Sequence, residues 1–373
     1  MIRYLRMAII IMCAISVGTL GTASAIAQAQ ESRPFDMGFT TFPYEVSLAA
    51  VDYTYRTITA DADLFAHHFD NGVPWPEALA KQPFPVNLRN EWIYRKSKTP
   101  SSHKIYLSVT PINFMRNGLA TYRGEKEDMP LPAPWNRYDF DHPDVQAAFL
   151  HYCQEAIHAF APDYLNIGIE VNLLLNAAPE KWASYLRLHQ ATYTALKREY
   201  PDLPIFVSIY GASLLDGYTE DDVALHRKAL AEIMPYSDYF ALSLYPYTTR
   251  FMTARLPTTM FDELRRLSDK PMAVAETGYI AQPLTVTING APFTIDSDEN
   301  KQDAYIMLLL EAATKHRFKF IINFVLRDYD AIWEMLGKTD LAATWRDTGL
   351  YDESGTPRKA LTTWRGYLER PRE

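Results

Sequence analysis

Cysteine is nearly absent from this chain. Of 373 residues only Cys13 and Cys153 are cysteines. Cys13 falls in an N-terminal segment that reads as removable, so the mature chain has no intrachain disulfide, and Cys153, alone in a helical pattern, reads as a small buried hydrophobe. No Lys/Arg-rich run occurs, and the formal net charge is -8. That balance argues against nucleic acid or an anionic membrane surface as a partner. No clustered Cys and His suggest a metal site, and His67 and His68 are adjacent, so a strand would turn them to opposite faces. No Gly-rich turn follows the first apolar run, which removes the usual mark of a nucleotide-binding open sheet. No low-complexity stretch, internal repeat or long linker divides the sequence.

What is present begins at the N-terminus. Arg3 and Arg6 precede an apolar run at 7–20, and small residues follow to Ala25 and Ala27. Charged, apolar and A-x-A regions in that order predict a signal peptide over 1–25, cleaved near 25–27. The run of about 14 residues is short against the ~20 that a spanning helix needs. Met12 before Cys13 is the wrong context for a lipoprotein. The mature protein is therefore expected to be secreted or periplasmic, without stable membrane association.

From residue 34 to 373, eight apolar runs alternate with helical patterns. The runs are 37–42, 64–69, 104–109, 164–169, 205–209, 239–244, 271–275 and 318–324. Several are apolar without strict alternation, as parallel strands buried on both faces are. The amphipathic helices between them include one that begins after Pro179 and one over 302–315, capped by Ser297 or Asp298. Eight βα repeats predict an α/β fold, a single-domain (β/α)8 TIM barrel. Two segments depart from the repeat: a long Pro- and aromatic-rich stretch at 110–142, and a strand pair at 284–295 turning at Asn289-Gly290. The second is a β-hairpin insertion after the seventh strand. Both follow strands, so both belong on the C-terminal face, where barrel active sites form. The hairpin is expected to wall one side of a cleft.

Two carboxylates end apolar strands. The fourth run closes on Ile167-Gly168-Ile169-Glu170, and the seventh on Ala275-Glu276-Thr277-Gly278-Tyr279. An acid at such a position is costly if buried and unpaired. A structural ion pair would explain either glutamate alone. Together, on the fourth and seventh strands, they face each other across the mouth and fit paired-carboxyl chemistry.

With Leu244-Tyr245-Pro246 after strand six, these motifs resemble the clan A glycoside hydrolases, and the arabinogalactan endo-galactanases among them. The resemblance implies a retaining glycosidase with a carbohydrate substrate and no cofactor or metal. It makes Glu170 the acid/base, Glu276 the nucleophile and Tyr245 the group that orients Glu276. The clan usually places Asn directly before the acid/base; here that residue is Ile169. Asn172 is a candidate replacement. The substitution keeps two other readings open, a carbohydrate-binding barrel without turnover and a transglycosylase. Further candidates for holding sugar are His68, Tyr247, Asn323 and Trp333, with Trp75 and Trp135 in strand-following loops. Each has a packing role as its alternative, and Arg327 with Asp328 reads as a local ion pair.

Overall fold

The computed structural model describes residues 31–251, 256–288 and 290–373. The expected signal segment and Asn289 lie outside the described residues.

Nine parallel strands form one sheet in the order β5-β4-β3-β2-β1-β11-β8-β7-β6. They are β1 (Asp36–Thr40), β2 (Leu64–Phe69), β3 (Lys104–Val109), β4 (Tyr164–Asn166), β5 (Ile205–Phe206), β6 (Ser208–Tyr210), β7 (Phe240–Leu244), β8 (Met272–Thr277) and β11 (Phe320–Asn323). The expected fifth strand is split at Val207. Its first half pairs with β4 and its second half with β7. One chain segment therefore joins both ends of the sheet, and the sheet closes into the expected (β/α)8 barrel. The expected run 164–169 keeps strand form only to Asn166. Beyond it the chain bends to deliver Glu170.

Side-chain size explains the closure. Tyr106, Tyr164 and Phe206 fill the interior from β3, β4 and β5, Phe320 reaches them from β11, and the small Ala241, Ala273 and Ala275 of β7 and β8 leave them room. Large and small groups together pack a barrel without a pore. The outward residues of the same strands join a second, larger core against the helices. Adjacent histidines show the alternation: His67 is fully buried against Phe160 of helix Pro143–Phe160, and His68 opens into the cleft. Cys153 is buried on that helix, as expected, and burial pushes its thiol far above the usual range.

Helix Glu299–His316 starts at Asp298, whose carboxylate accepts the amides of Asn300 and Lys301. The hairpin, β9 (Leu284–Ile288) and β10 (Ala291–Ile295), pairs antiparallel after β8, the seventh barrel strand. None of its described residues lines the cleft. Instead the Thr287 amide bonds the Asp340 carboxylate.

Arg327 and Asp328 do not pair. Asp328 is fully buried and bonds Arg358 at 2.5 Å, and the Arg327 guanidinium lies 3.6 Å from the Tyr44 ring centre. Burial pushes the Asp328 carboxyl upward against the pull of Arg358. Arg358→Ala strands this buried carboxyl, and a loss of about 3–5 kcal/mol is expected in urea denaturation. A cost below ~1 kcal/mol would show that the pair is not what holds this corner.

Candidate active site

Glu170 stands where β4 stops, and several local contacts hold it there. The Asn166 side chain donates to Tyr106 and Ser108 hydroxyls at 3.0 Å each and accepts the Gly168 amide. At Gly168 a Cβ would lie 2.6 Å from the Tyr185 hydroxyl, so the turn requires glycine. Glu170 itself adopts the left-handed region, at φ 47, and its amide donates to the Ser208 hydroxyl. Non-glycine residues in that region cost free energy that surrounding contacts must offset.

Glu276 sits near the end of β8. The pairing of β7 with β8 shifts register between Leu242 and Ser243, so that Ser243 faces Glu276 and Ala275 is the extra residue. A bulge of this kind re-aims the side chain beside it. Ser243, the partner of Glu276, donates its hydroxyl to Glu170 at 2.6 Å. Ser243 thus bonds one carboxylate and stands beside the residue that carries the other.

Each glutamate has further neighbours. Arg116 donates to Glu170 at 3.0 Å, and its Nε is buried without a partner. Tyr245 donates to Glu276 at 2.5 Å. His68 stands 3.6 Å from Glu276 and 3.5 Å from Asp70. Burial is the largest influence on Glu276 and pushes its carboxyl above the usual range. The charges of Glu170 and Asp70 push the same way, and His68 and the Tyr245 hydroxyl oppose them. Burial works against the charged form of His68, but Asp70 and Glu276 outweigh it and raise the imidazole. Burial, reinforced by Glu276, holds the Tyr245 phenol far above its ordinary range, so it stays a donor.

Both glutamates open into one cleft of about 890 Å³ at the C-terminal ends of the strands. His68, Asp70, Tyr210 and Tyr245 line it with them. So do Ile169, Phe42, Phe324 and Trp345. Among the described residues no group of three or more His, Cys, Asp or Glu is placed to hold a metal ion.

Four candidates are not cleft residues. Asn172 is buried, exchanging hydrogen bonds with the Tyr210 backbone and donating to His226, so it does not replace the missing Asn. Tyr247 is buried and donates to the Thr344 carbonyl. Asn323 is buried and donates to the carbonyls of Val325 and Thr348. Trp333 donates to the Thr339 carbonyl, and the Arg346 guanidinium covers its ring at 4.4 Å. Trp75 and Trp135 stack on each other in the core at 5.5 Å. The tryptophan that does line the cleft is Trp345, whose buried Nε1 has no partner. Sequence reasoning missed Trp345, Arg116 and Ser243. The positions of Arg116 and Trp345 in segments that follow strands were the signal available; Ser243, inside β7, gave none.

No family model matches the chain, and no curated protein matches it. Solved structures do. An exo-β-1,4-mannosidase from Opitutaceae bacterium strain TAV5 superposes at TM-score 0.61 and 12% identity, over 91% of this chain and 60% of the other. This chain thus spans about three fifths of that protein. The GH5_18 protein of Streptomyces cattleya, in complex with GlcNAc, matches at 0.57 and 14% identity, over 92% and 83%. A β-glucuronidase of Bacteroides uniformis, covalently bound to an aziridine, matches at 0.53 and 13% identity, over 89% and 35%. At these identities the likeness is one of fold.

Proposed function

We propose that this barrel is a retaining glycoside hydrolase in which Glu276 attacks the anomeric carbon and Glu170 serves as acid, then as base. The observation that carries the reading is that both carboxylates line one cleft, with Ser243 bonding Glu170 from the position beside Glu276 in the sheet. That proximity favours the short carboxyl spacing of retaining enzymes over the wider spacing that leaves room for water. The activities of the structural neighbours support the same chemistry, and their β-linked substrates suggest where screening should begin.

In the first step Glu276 forms a bond to the anomeric carbon as the glycosidic bond breaks, and Glu170 gives its proton to the departing oxygen. In the second, Glu170 takes a proton from water, which attacks the same carbon and releases Glu276. The cleft wall is arranged for both halves. Tyr245 and His68 stabilise the charge that Glu276 needs as nucleophile. Ser243 and Arg116 each donate to Glu170, one to each oxygen, and so stabilise the carboxylate left when Glu170 has delivered its proton. Export by a cleaved signal, with action outside the cytoplasm, belongs to this proposal.

Retention is tested by proton NMR of an aryl β-glycoside during hydrolysis. The β-anomer of the free sugar should appear first, before mutarotation. An α-anomer appearing first would remove the covalent step.

The acidic limb of kcat/KM reports the free enzyme's essential base, here Glu276. Its raised proton affinity places that limb above the range of an ordinary glutamate. His68→Asn removes the cation that favours ionised Glu276, so the limb should move to still higher pH. A limb that stays in place, or moves down, would separate His68 from the nucleophile.

A further inference from the structure

The cleft is charged, and its charges are unevenly committed. Five carboxyl residues line it, Asp70, Glu127, Asp128, Glu170 and Glu276, against three cations, His68, Arg95 and Arg116. Each cation already faces a carboxylate of the protein. His68 stands between Glu276 and Asp70. Arg95 gives two of its nitrogens to Glu91 and the third to the Thr41 hydroxyl. Arg116 donates to Glu170 and to the Asn113 carbonyl, and its Nε is buried without a partner. A single buried N–H cannot grip a carboxylate as a two-pronged guanidinium does.

The acceptors are less fully used. Asp70 pairs with the His68 ring at 3.5 Å and leaves 34% of its side chain open. Burial works against its charge, but His68 and Arg116 outweigh burial and hold the carboxyl below its ordinary range. Beside it in the same wall, the buried Oδ1 of Asn71 has no partner.

Asp70 is one imidazole away from Glu276, on the other side of His68. That places it beside the sugar whose anomeric carbon Glu276 attacks. A sugar hydroxyl there has acceptors to receive its hydrogen. A sugar carboxylate would meet Asp70 and Glu276 with no free cation to balance it, and like charges brought together in a cleft weaken binding.

We propose that the cleft takes an uncharged sugar and excludes uronic acids, with Asp70 as the residue that imposes the exclusion. This inference rests on the hydrolase reading and names its substrate class. Asp70 also holds His68 towards Glu276, which affects every substrate alike. A uronic acid differs from its parent sugar only in carrying a carboxylate for the hydroxymethyl group. Pairs that differ only there separate the two roles.

The test uses aryl β-glycosides of glucose, galactose and mannose, each with a hydroxyl, an amine or a carboxylate at carbon 6. For the sugar accepted, kcat/KM of the hydroxyl form should exceed that of the carboxylate form by at least ~100-fold, the size of a like-charge contact. The amine form, charged with the opposite sign, should lose far less. In Asp70→Asn all three rates fall together through His68, but the hydroxyl-to-carboxylate ratio should shrink by about tenfold or more. A purely structural role for Asp70 would leave that ratio where it was. The unmodified enzyme supplies an arm that needs no variant: raising salt from about 0.02 to about 0.5 M should narrow the ratio by screening. A uronide turned over as fast as its neutral parent would overturn the exclusion. An unchanged ratio in Asp70→Asn would remove Asp70 from it. Absence of turnover on every aryl glycoside would count against the hydrolase reading, and calorimetry with the methyl β-glycosides then decides the exclusion separately. Binding of a neutral form without its uronide upholds it, whereas equal binding of both, or of neither, overturns it.

Discussion

Glu276→Gly should lower turnover of an activated aryl β-glycoside by at least ~10⁴-fold, as loss of a covalent nucleophile does elsewhere. Azide should then restore product as the α-glycosyl azide. The reasoning is local. Removing the carboxylate leaves a small space beside the Tyr245 hydroxyl and the His68 ring. A donor and a cation there suit a small anion. Azide entering that space reaches the anomeric carbon from the face that Glu276 uses, so the product has inverted configuration. The acid Glu170 remains in place and keeps its Ser243 and Arg116 contacts. Failure of azide to rescue a variant that melts near the parent temperature would remove Glu276 from the nucleophile role.

Glu170→Ala should produce a different signature. Acid catalysis contributes about 10²–10⁴-fold. Loss of that order is expected for a methyl glycoside, whose departing oxygen needs a proton. A dinitrophenyl glycoside needs no proton on departure, so its first step should be nearly unaffected. The second step lacks its base, and the glycosyl-enzyme should accumulate as a burst of dinitrophenol. Azide, which needs no base, should then attack the intermediate and give the β-glycosyl azide. Opposite anomers from the two variants would assign the two roles within a single experimental design. The same loss for both leaving groups would mean that Glu170 supports the fold of the site and transfers no proton. The Asn166 and Ser208 contacts that fix this turn make circular dichroism of the variant a necessary companion measurement.

The barrel could be read from the sequence because its strands announce themselves by long apolar runs. The boundaries failed where tertiary contacts decide them. Ile167 and Ile169 look like strand; regular strand form ends at Asn166, although Ile167 and Gly168 still bond the backbone of Phe206 and Ser208, and the bend follows as Gly168 packs against Tyr185 and Glu170 turns left-handed. The two glutamates were visible because an acid ending an apolar strand conflicts with its surroundings. Asn172, Tyr247 and Asn323 also stand after or at the ends of strands. Nothing in spacing tells a side chain that bonds backbone from one that meets a ligand, and all three bond backbone. Trp333 and Trp345 occupy the same post-strand segment. Which of them faces the cleft depends on where Arg346 lies, and Arg346 covers Trp333.

The extra residue at Ala275 has a consequence for how this protein tolerates insertions and deletions. A strand offers only two directions to a side chain, and Ala273 and Ala275 already face the barrel interior, so a regular β8 of this length would turn the Glu276 carboxylate into the helical layer. The bulge returns it beside Ser243; deleting Ala275 would restore a regular register with the same pairing, whereas one added residue would turn the carboxylate away. Loops after the strands can change length gradually. At this point in β8 one residue can be lost with the bulge but none added, so diversification should proceed mainly in the loops.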